Sequence, residues 1–177
     1  MTSTHGADDS TAYLAPREGS DAWSAATVDR RGTQQILGVE TLAPPRRIGD
    51  ALQLGQSERA VVRRRLMLLD GRPAEIANSW YPEILAAGTP LADDRKIKGG
   101  APAAIARLGL ALAYADEEVE LESAATPEEA ELLQAGPGQR VVRLFRTAYT
   151  REDMPVEVTD SVMLPAGRVL QHRIEVG

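Results

Sequence analysis

Hydrophobic and polar residues alternate most regularly in two segments of the chain that are nearly copies of each other. Arg72–Pro82 reads RPAEIANSWYP and Met154–Pro165 reads MPVEVTDSVMLP, so both follow the pattern Pro-x-Glu-(Ile/Val)-x-(Asn/Asp)-Ser. A period of two is typical of β-strands, whose successive side chains point to opposite faces of a sheet. A Val-Val-Arg run precedes each copy, at 61–63 and at 141–143. The chain is therefore predicted to contain two similar β-hairpins.

The rest of the pattern predicts helices between the hairpins. Asp70–Gly71 is a strong signal for the first hairpin turn, and Glu152–Asp153 is the predicted second turn. Further strands are predicted at 36–43, at 118–122 as a half-buried strand, and at 168–176. Helices are predicted at 46–54, at 83–87, after the Lys98–Pro102 run and up to Leu108, and from the Thr126 cap to about Gln134. The predicted fold class is α+β, with a mainly antiparallel sheet flanked by helices.

Strand alternation also gives the repeated strands one polar face. Its predicted members are Glu75, Ala77, Ser79 and Tyr81 in the first copy, and Glu157, Thr159, Ser161 and Met163 in the second. Such a face is either the lining of a cleft or a solvated surface, and composition alone favours the solvated surface.

Several groups on or near this face could carry chemistry. Arg63 and Arg65 share one face of their strand, and a guanidinium beside Glu157 and a serine hydroxyl could bind a small anion or a polyol. An ordinary cross-strand ion pair is the commoner outcome of such a pattern. Glu75 and Glu157 form a carboxylate pair that could serve acid–base catalysis, although duplication of a structural hairpin would produce the same pair.

One short glycine pair could bind an anion. Gly99–Gly100 precedes a predicted helix and could offer backbone N–H groups to a negatively charged ligand, although a plain loop-to-helix turn explains the pattern equally well. The catalytic residues, if the chain has any, cannot be identified from its motifs.

Composition narrows the class of protein. A chain of 177 residues is long enough for one domain with its own core. It has no cysteine and only two histidines, so we expect no disulfide, no thiolate nucleophile, no metal centre and no cofactor. The formal net charge of -6 argues against direct DNA binding through phosphate contacts. The absence of an apolar run of about 18 residues and of a signal-peptide pattern leads us to expect no membrane contact and a cytoplasmic location.

The N-terminal segment differs from the remainder. Residues 1–31 are rich in small and polar residues, and we predict a mostly disordered or loosely docked arm. Tyr13–Leu14 and Trp23 are its candidate anchors, either to the body or to a second subunit. Residues 32–177 are predicted to form the folded domain.

Four segments in order resemble the UTRA domain, the effector-binding part of HutC-type regulators in the GntR family. They read VVRRRLMLLDGRPAEIANSWYP, KIKGGAPAAIARLG, TPEEAELLQAGPGQRVVRLFRTAY and MPVEVTDSVMLP. The resemblance implies a chorismate lyase-like fold, a homodimer, and a cleft for a small-molecule effector. It also implies a winged helix-turn-helix domain N-terminal to the cleft, but the residues before the UTRA-like region contain no such pattern. We therefore expect either a stand-alone UTRA protein or a piece of a longer regulator.

The resemblance assigns candidate ligand-binding residues. Arg65 and Glu157 match the family pattern, whereas Met67, Ala77 and Met163 stand where sugar phosphate-sensing members carry polar or aromatic residues. Gly99–Gly100 replaces a serine of the family. Ser79 and Ser161 are weaker candidates. The resemblance thus implies a flatter, more apolar and less anionic effector than a sugar phosphate.

Three functions follow as hypotheses. The first is a small-molecule sensor domain of a regulator, which could pair with a full-length relative. The second is a stand-alone lyase or isomerase on the same fold, with Arg65 binding a carboxylate and Glu157 acting as acid or base. The third is a protein-interaction module.

Overall fold

The computed structural model describes the backbone at residues 6–9, 23, 31–165 and 168–171, and side chains at 23 and 31–165. The strands are β1 (Gly6–Asp9), β2 (Gly32–Leu42), β3 (Ala60–Leu69), β4 (Arg72–Pro82), β5 (Leu112–Ala124), β6 (Arg140–Thr150), β7 (Pro155–Met163) and β8 (Arg168–Gln171). The helices are α1 (Arg46–Ala51), α2 (Glu83–Ala86), α3 (Gly100–Arg107) and α4 (Pro127–Leu132).

Six strands form one antiparallel sheet in the order β2-β3-β4-β7-β6-β5. The predicted α+β fold with its two hairpins is confirmed. At the first turn, both Asp70 (φ 52°) and Gly71 (φ 79°) have a positive φ, which matches the twist of a two-residue hairpin. The two hairpins meet at the centre of the sheet, where β4 pairs with β7.

The edge strand β5 corrects one prediction. The segment around Val119 and Leu121 is a strand, but Leu121 is 66% exposed and Val119 is 37% exposed. Period-two alternation therefore identified the strand but not its burial, because an edge strand has a neighbour on one side only.

The terminal strands lie outside the main sheet. β1 and β8 pair with each other in parallel, with Gly6 opposite Arg168. The predicted last strand at 168–176 is observed at its first four residues, and the rest of it lies outside the described residues. Tyr13–Leu14 also lies outside them.

The duplication extends beyond the hairpins to the helices that precede them. In the first copy, the N–H of Gly49 donates to the Pro45 carbonyl and that of Leu52 to the Ile48 carbonyl. The same bonds recur 81 positions later, from Ala130 to Thr126 and from Leu133 to Glu129. Gln53 and Gln134 then adopt the same positive φ, at 56° and 52°. The chain is therefore built from two copies of a helix–hairpin unit, 45–82 and 126–163.

Strand pairing corrects the alignment of the Val-Val-Arg runs. Arg63 lies opposite Ser79, whereas Leu144 lies opposite Ser161, the counterpart of Ser79. Arg63 therefore corresponds to Leu144 and not to Arg143. A shift of one residue moves a side chain to the other face of the sheet. The sequence match at 61–63 and 141–143 consequently pairs residues that face opposite ways.

One face of the sheet, which we call the back face, packs against α1 and α4. Beneath α1, an apolar cluster joins Ile48 and Leu52 to side chains of four strands: Ala60, Val62, Trp80, Phe145 and Val158. Beneath α4, a second cluster joins Leu133 to Leu66, Ile76, Val141 and Val162. The two helices thus cover equivalent parts of the two copies.

The opposite face, which we call the front face, is covered differently at its two ends. At one end, α2, α3 and the segment between them pack on Val61 and Tyr81. At the other end, Trp23 packs against Met67, Leu69, Ala74 and Ala77, and its indole N–H donates to the Leu68 carbonyl at 2.9 Å. Trp23 therefore anchors its segment to the body, as one of the two alternatives predicted.

Candidate functional site

The polar face predicted from strand alternation is the front face, and its polar side chains are buried. Ser79 and Ser161 are fully buried, and Glu75, Glu157 and Thr159 are each less than 9% exposed. The solvated surface that composition favoured is therefore wrong for this face. A row of buried polar groups in the middle of a sheet requires internal partners, because an unpaired one loses its hydrogen bonds to water.

Most of these groups find their partners in one chain of hydrogen bonds. Arg65 Nη2 donates to Ser79 Oγ at 2.7 Å, and Ser79 Oγ lies 3.3 Å from Thr159 Oγ1. The Thr159 hydroxyl donates to Glu157 Oε1 at 3.3 Å, and the Tyr81 hydroxyl donates to the same oxygen at 2.8 Å. The chain, which we call the polar relay, joins a guanidinium to a carboxylate across β3, β4 and β7. Each member polarises the next, so the relay is strengthened by its burial.

Electrostatics fix the proton of Tyr81 within the relay. Burial raises the pKa of the Tyr81 phenol, and the adjacent Glu157 carboxylate raises it further. The phenol is therefore protonated at neutral pH and acts as a hydrogen-bond donor.

Two buried polar atoms at the same level of the sheet have no hydrogen-bond partner among the described residues. They are Arg65 Nε and Ser161 Oγ. Both flank Ala77, which lies opposite Arg65 on one side and opposite Ser161 on the other. Unpaired buried donors are uncommon in folded proteins and often mark a place where a ligand or a bound water completes the structure.

A cleft opens beside the relay, between β3 and the N-terminus of α3. Its volume is about 280 Å³, including the part open to solvent. The lining residues are Gln34, Arg63, Arg65, Tyr81, Lys96, Ile97, Gly100 and Ala101. Three of them are cationic and none is acidic, although the whole chain has a net charge of -6. The cleft is thus a positive region on an acidic protein.

Glycine is required where the chain enters α3. Gly99 is the N-cap with a φ of 81°, and Gly100 follows with a φ of 77°. Residues with a side chain adopt this left-handed conformation rarely. The two glycines bring the first turn of the eight-residue helix to the cleft, and the positive end of its dipole adds to the charge of Arg65 and Lys96.

The structure brings some of the predicted site residues together and separates others. Arg65, Ser79 and Glu157 belong to the polar relay, and Gly100 lines the cleft. Met67 and Ala77 instead lie in the apolar cluster with Trp23. Their apolar surface is therefore covered by the chain itself.

The remaining predicted residues lie on the front face but outside the cleft. Ser161 lies opposite Ala77 and Met163 lies opposite Glu75. Because Glu157 is six residues from Met163 along β7, Glu75 and Glu157 are about 20 Å apart along the strands. The predicted carboxylate pair for acid–base catalysis is therefore wrong, since two groups this far apart cannot act on one bond.

Among the residues of this site that sequence reasoning missed are Tyr81, Thr159, Gln34 and Lys96. Tyr81 and Thr159 were placed on the correct face but were not assigned to the site, and the alternation that placed them was the available signal. Gln34 and Lys96 carried no such signal, because the first belongs to another strand and the second to a loop. Only the folded chain brings them to the cleft.

Residues 29–166 match the UTRA domain family, and the chain belongs to that family. Its structural neighbours are regulator domains. The ligand-binding domain of a protein assigned to the GntR family of transcriptional regulators, from Bordetella bronchiseptica, is 28% identical, with a TM-score of 0.72 over 83% of this chain and 90% of that one.

Two solved structures of PhnF from Mycobacterium smegmatis share the fold. Its effector domain is 16% identical, with a TM-score of 0.75 over 88% of this chain and 93% of that one. A second PhnF structure is 14% identical, with a TM-score of 0.79 over 97% of this chain and 72% of that one. No curated protein matches the sequence. Within the described ranges, none of the helices has the length and apolar character needed to cross a membrane.

Proposed function

We propose that this chain is the effector-binding domain of a GntR-family regulator of the HutC type, and that its effector is a small organic anion. The observation that carries the proposal is the cleft with three cationic side chains and no acidic one, next to the unpaired Arg65 Nε. Family membership and the regulator domains among the structural neighbours support the same conclusion. Homodimerisation and a cytoplasmic location belong to this proposal. The first rests on the sequence resemblance and the second on the sequence pattern described above.

The ligand class follows from the lining of the cleft. Arg65 uses Nη2 to hold Ser79, and its buried Nε–H has no partner among the described residues. A carboxylate or phosphate oxygen suits a guanidinium better than a neutral acceptor does, because the hydrogen bond is charge-assisted. Ile97 and Ala101 supply an apolar wall for the remainder of the molecule. We therefore infer an effector with one anionic group and a small apolar part, which is more anionic than the sequence alone implied.

The lyase or isomerase alternative has no observation in its favour. The acid or base assigned to it, Glu157, accepts hydrogen bonds from Tyr81 and Thr159 in the polar relay.

A thermal-shift screen tests the proposal. Small carboxylates, phosphates and their neutral amide or ester analogues are added to the wild type, to Arg65→Ala and to Arg64→Ala. Arg64 is the matched control, since it is the next arginine on β3 and is exposed. A ligand present at about 1,000 times its Kd stabilises the fold by about 4 kcal/mol, which raises Tm clearly. We expect anions to do so with the wild type and Arg64→Ala, and to lose the effect with Arg65→Ala.

Two results would count against the proposal. Neutral analogues that bind as well as the anions would contradict the ligand class. An anion that binds Arg65→Ala unchanged would contradict the site. A screen with no hit at all would favour the interaction-module hypothesis instead.

A further inference from the structure

Arg63 is buried and directed at a loop. It is 3% exposed, and its guanidinium donates to four backbone carbonyls of residues 90–97, a segment between α2 and α3 that we call the strap. The acceptors are the carbonyls of Pro90 at 3.2 Å, Leu91 at 3.1 Å, Arg95 at 2.8 Å, and Asp93. The single side chain of Arg63 therefore binds the strap backbone at four residues.

The duplicated unit shows that the fold itself does not need an arginine here. The counterpart of Arg63 in the second copy is Leu144, which is buried on the same face of the sheet. Burial lowers the pKa of the Arg63 guanidinium, as expected for a charge removed from water. A buried charge is tolerated only when hydrogen bonds replace its hydration, and here the strap carbonyls do so.

The strap also forms one wall of the cleft. Leu91 and Ile97 fix its two ends in the apolar core, and residues 93–96 between them are exposed. Lys96 and Ile97 line the cleft, and the chain continues directly into the glycine turn that starts α3. A displacement of the strap would therefore change the shape of the cleft.

We propose that Arg63 is a positioning residue that clasps the strap over the cleft and so sets the access and affinity of the effector. The inference rests on the proposed function for the identity of the cleft. The clasp itself can be tested without any ligand, because it makes the strap more rigid than an exposed loop would be. Replacement of Arg63 by an apolar residue would remove its hydrogen bonds to the strap, which we call the clasp, and would leave the sheet intact.

Trypsin provides a direct probe, because Arg95, Lys96 and Lys98 are exposed cleavage sites in or next to the strap. The test variant is Arg63→Leu, because leucine is the residue at the equivalent position of the second copy, Leu144. The control variant is Arg64→Leu, which changes the net charge by the same amount. We expect cleavage after these three residues to be faster by about tenfold or more in Arg63→Leu, because charged hydrogen bonds of this kind contribute that much to a local opening equilibrium. Arg64→Leu is expected to match the wild type.

A second readout connects the clasp to the cleft. Acetate and inorganic phosphate are titrated into the three proteins, and the rate of strap cleavage is followed. If either anion binds, we expect it to slow cleavage in the wild type and Arg64→Leu, and to need about tenfold higher concentration in Arg63→Leu. If neither anion slows cleavage in any of them while Arg63→Leu is still cut faster, the clasp holds and the anionic effector is in doubt.

Equal cleavage of Arg63→Leu and the wild type, with an unchanged urea midpoint, would overturn the clasp. If Arg63→Leu does not fold, Arg63→Lys replaces it. An ammonium lacks the planar fork with which Nη1 and Nη2 reach different carbonyls, so an intermediate cleavage rate is expected. Hydrogen exchange of the wild type gives an independent check. Strap amides that exchange as fast as a free peptide would also overturn the clasp, whereas protected strap amides that open more readily than β3 amides would support it.

Discussion

The two copies of the helix–hairpin unit are similar on the back face of the sheet and differ in their side chains on the front face. On the back face, α1 and α4 make the same hydrogen bonds, both end at a glutamine with positive φ, and both cover apolar strands. Only α4 carries a capping box, made by Thr126 and Glu129, while α1 begins at Pro45 without a side-chain cap. The apolar packing on the back face stabilises the fold, and it is similar in the two copies apart from the difference in helix capping.

On the front face, the copies differ at the positions that matter for the site. Strand pairing makes Met163 the counterpart of Tyr81 and Ala77 the counterpart of Thr159. Arg65 donates to Ser79, whereas its counterpart Arg146 forms an ion pair with Glu117 at 3.4 Å, and Ser161 Oγ has no described partner. The polar relay takes residues from both copies, and the equivalent positions at the other end of the sheet cannot form it, since Met163 and Ala77 lack the hydroxyls of Tyr81 and Thr159. The candidate binding site therefore lies where the two copies share a backbone arrangement but differ in their side chains.

The largest expected effect tests the cover of the front face at the end away from α2 and α3, where the cover is Trp23 and not a helix. In Trp23→Ala, the indole that is 2% exposed is lost from the cluster with Met67 and Ala77, and the Leu68 carbonyl loses its donor. A buried tryptophan truncated to alanine costs about 3–5 kcal/mol of the free energy of unfolding. Urea unfolding followed by circular dichroism measures the loss.

Ile84→Ala is the matched control for this prediction. Ile84 is 85% exposed, so its truncation is expected to change the free energy of unfolding by less than about 0.5 kcal/mol. If Trp23→Ala costs no more than Ile84→Ala, Trp23 is not part of the cooperative core, and its end of the front face is not stabilised by this side chain.

A second, smaller effect tests the polar relay. In Tyr81→Phe, the Glu157 carboxylate loses its shorter hydrogen bond while it stays buried, and Thr159 remains as its donor. We expect a loss of about 1–3 kcal/mol in the free energy of unfolding, since a buried acceptor is left partly unsatisfied. The variant should still fold, because the counterpart position carries the apolar Met163.

Tyr114→Phe provides the comparison for that measurement. The Tyr114 hydroxyl also donates to a carboxylate, that of Asp153 at 2.8 Å, but the contact is exposed to water. Water replaces the lost partner there, so the change is expected to stay within about 0.5 kcal/mol. Equal losses in the two variants would mean that burial adds nothing to the relay.

The elements of the fold could be predicted from sequence because each depends on local patterns. The hairpins, the turn at Asp70–Gly71 and the Thr126 cap all depend on residues within a few positions of one another. The exposure of Leu121 could not be predicted, since it depends on which strand lies at the edge of the sheet. Local patterns identify strands, whereas their order in the sheet is set by long-range contacts.

The site could be predicted only in part, for a related reason. Alternation placed Ser79 and Glu157 on one face, and the resemblance selected Arg65. Sequence matching identified Glu75 and Glu157 as equivalent residues, and we expected the two carboxylates to lie close together. Because β4 and β7 pair antiparallel, equivalent residues near the strand ends lie at opposite ends of the sheet. The match of Arg63 with Arg143 failed because it equates residues 80 positions apart, whereas strand pairing equates Arg63 with Leu144, 81 positions apart. Neither difference can be seen in the sequence without the strand register.

The smallest expected effect is at the centre of the sheet, where a residue meets its own counterpart. Asn78 of the first copy lies opposite Asp160 of the second. Burial raises the pKa of the Asp160 carboxyl, and Arg143 and Arg47 offset that rise only in part. The folded protein therefore holds this proton more tightly than the unfolded chain does. The stability associated with it is present at low pH and is lost as pH rises from about 3.9, the ordinary pKa of an aspartate, through the raised value.

The variant Asp160→Asn places an asparagine opposite Asn78 and removes this titration. At pH 7 we expect Tm to rise by about 1–3 °C, because an unfavourable buried charge is gone and 1 kcal/mol corresponds to about 2–4 °C in a chain of this size. At pH 3.5, which is below the ordinary pKa, the carboxyl of the wild type is mostly protonated, so the difference in Tm should be smaller than at pH 7. Differential scanning calorimetry at the two pH values measures both. A lower Tm for the variant at pH 7 would show that the Asp160 charge is stabilised by Arg143 and Arg47, and that the two copies depend on this asymmetry for stability as well as for the site.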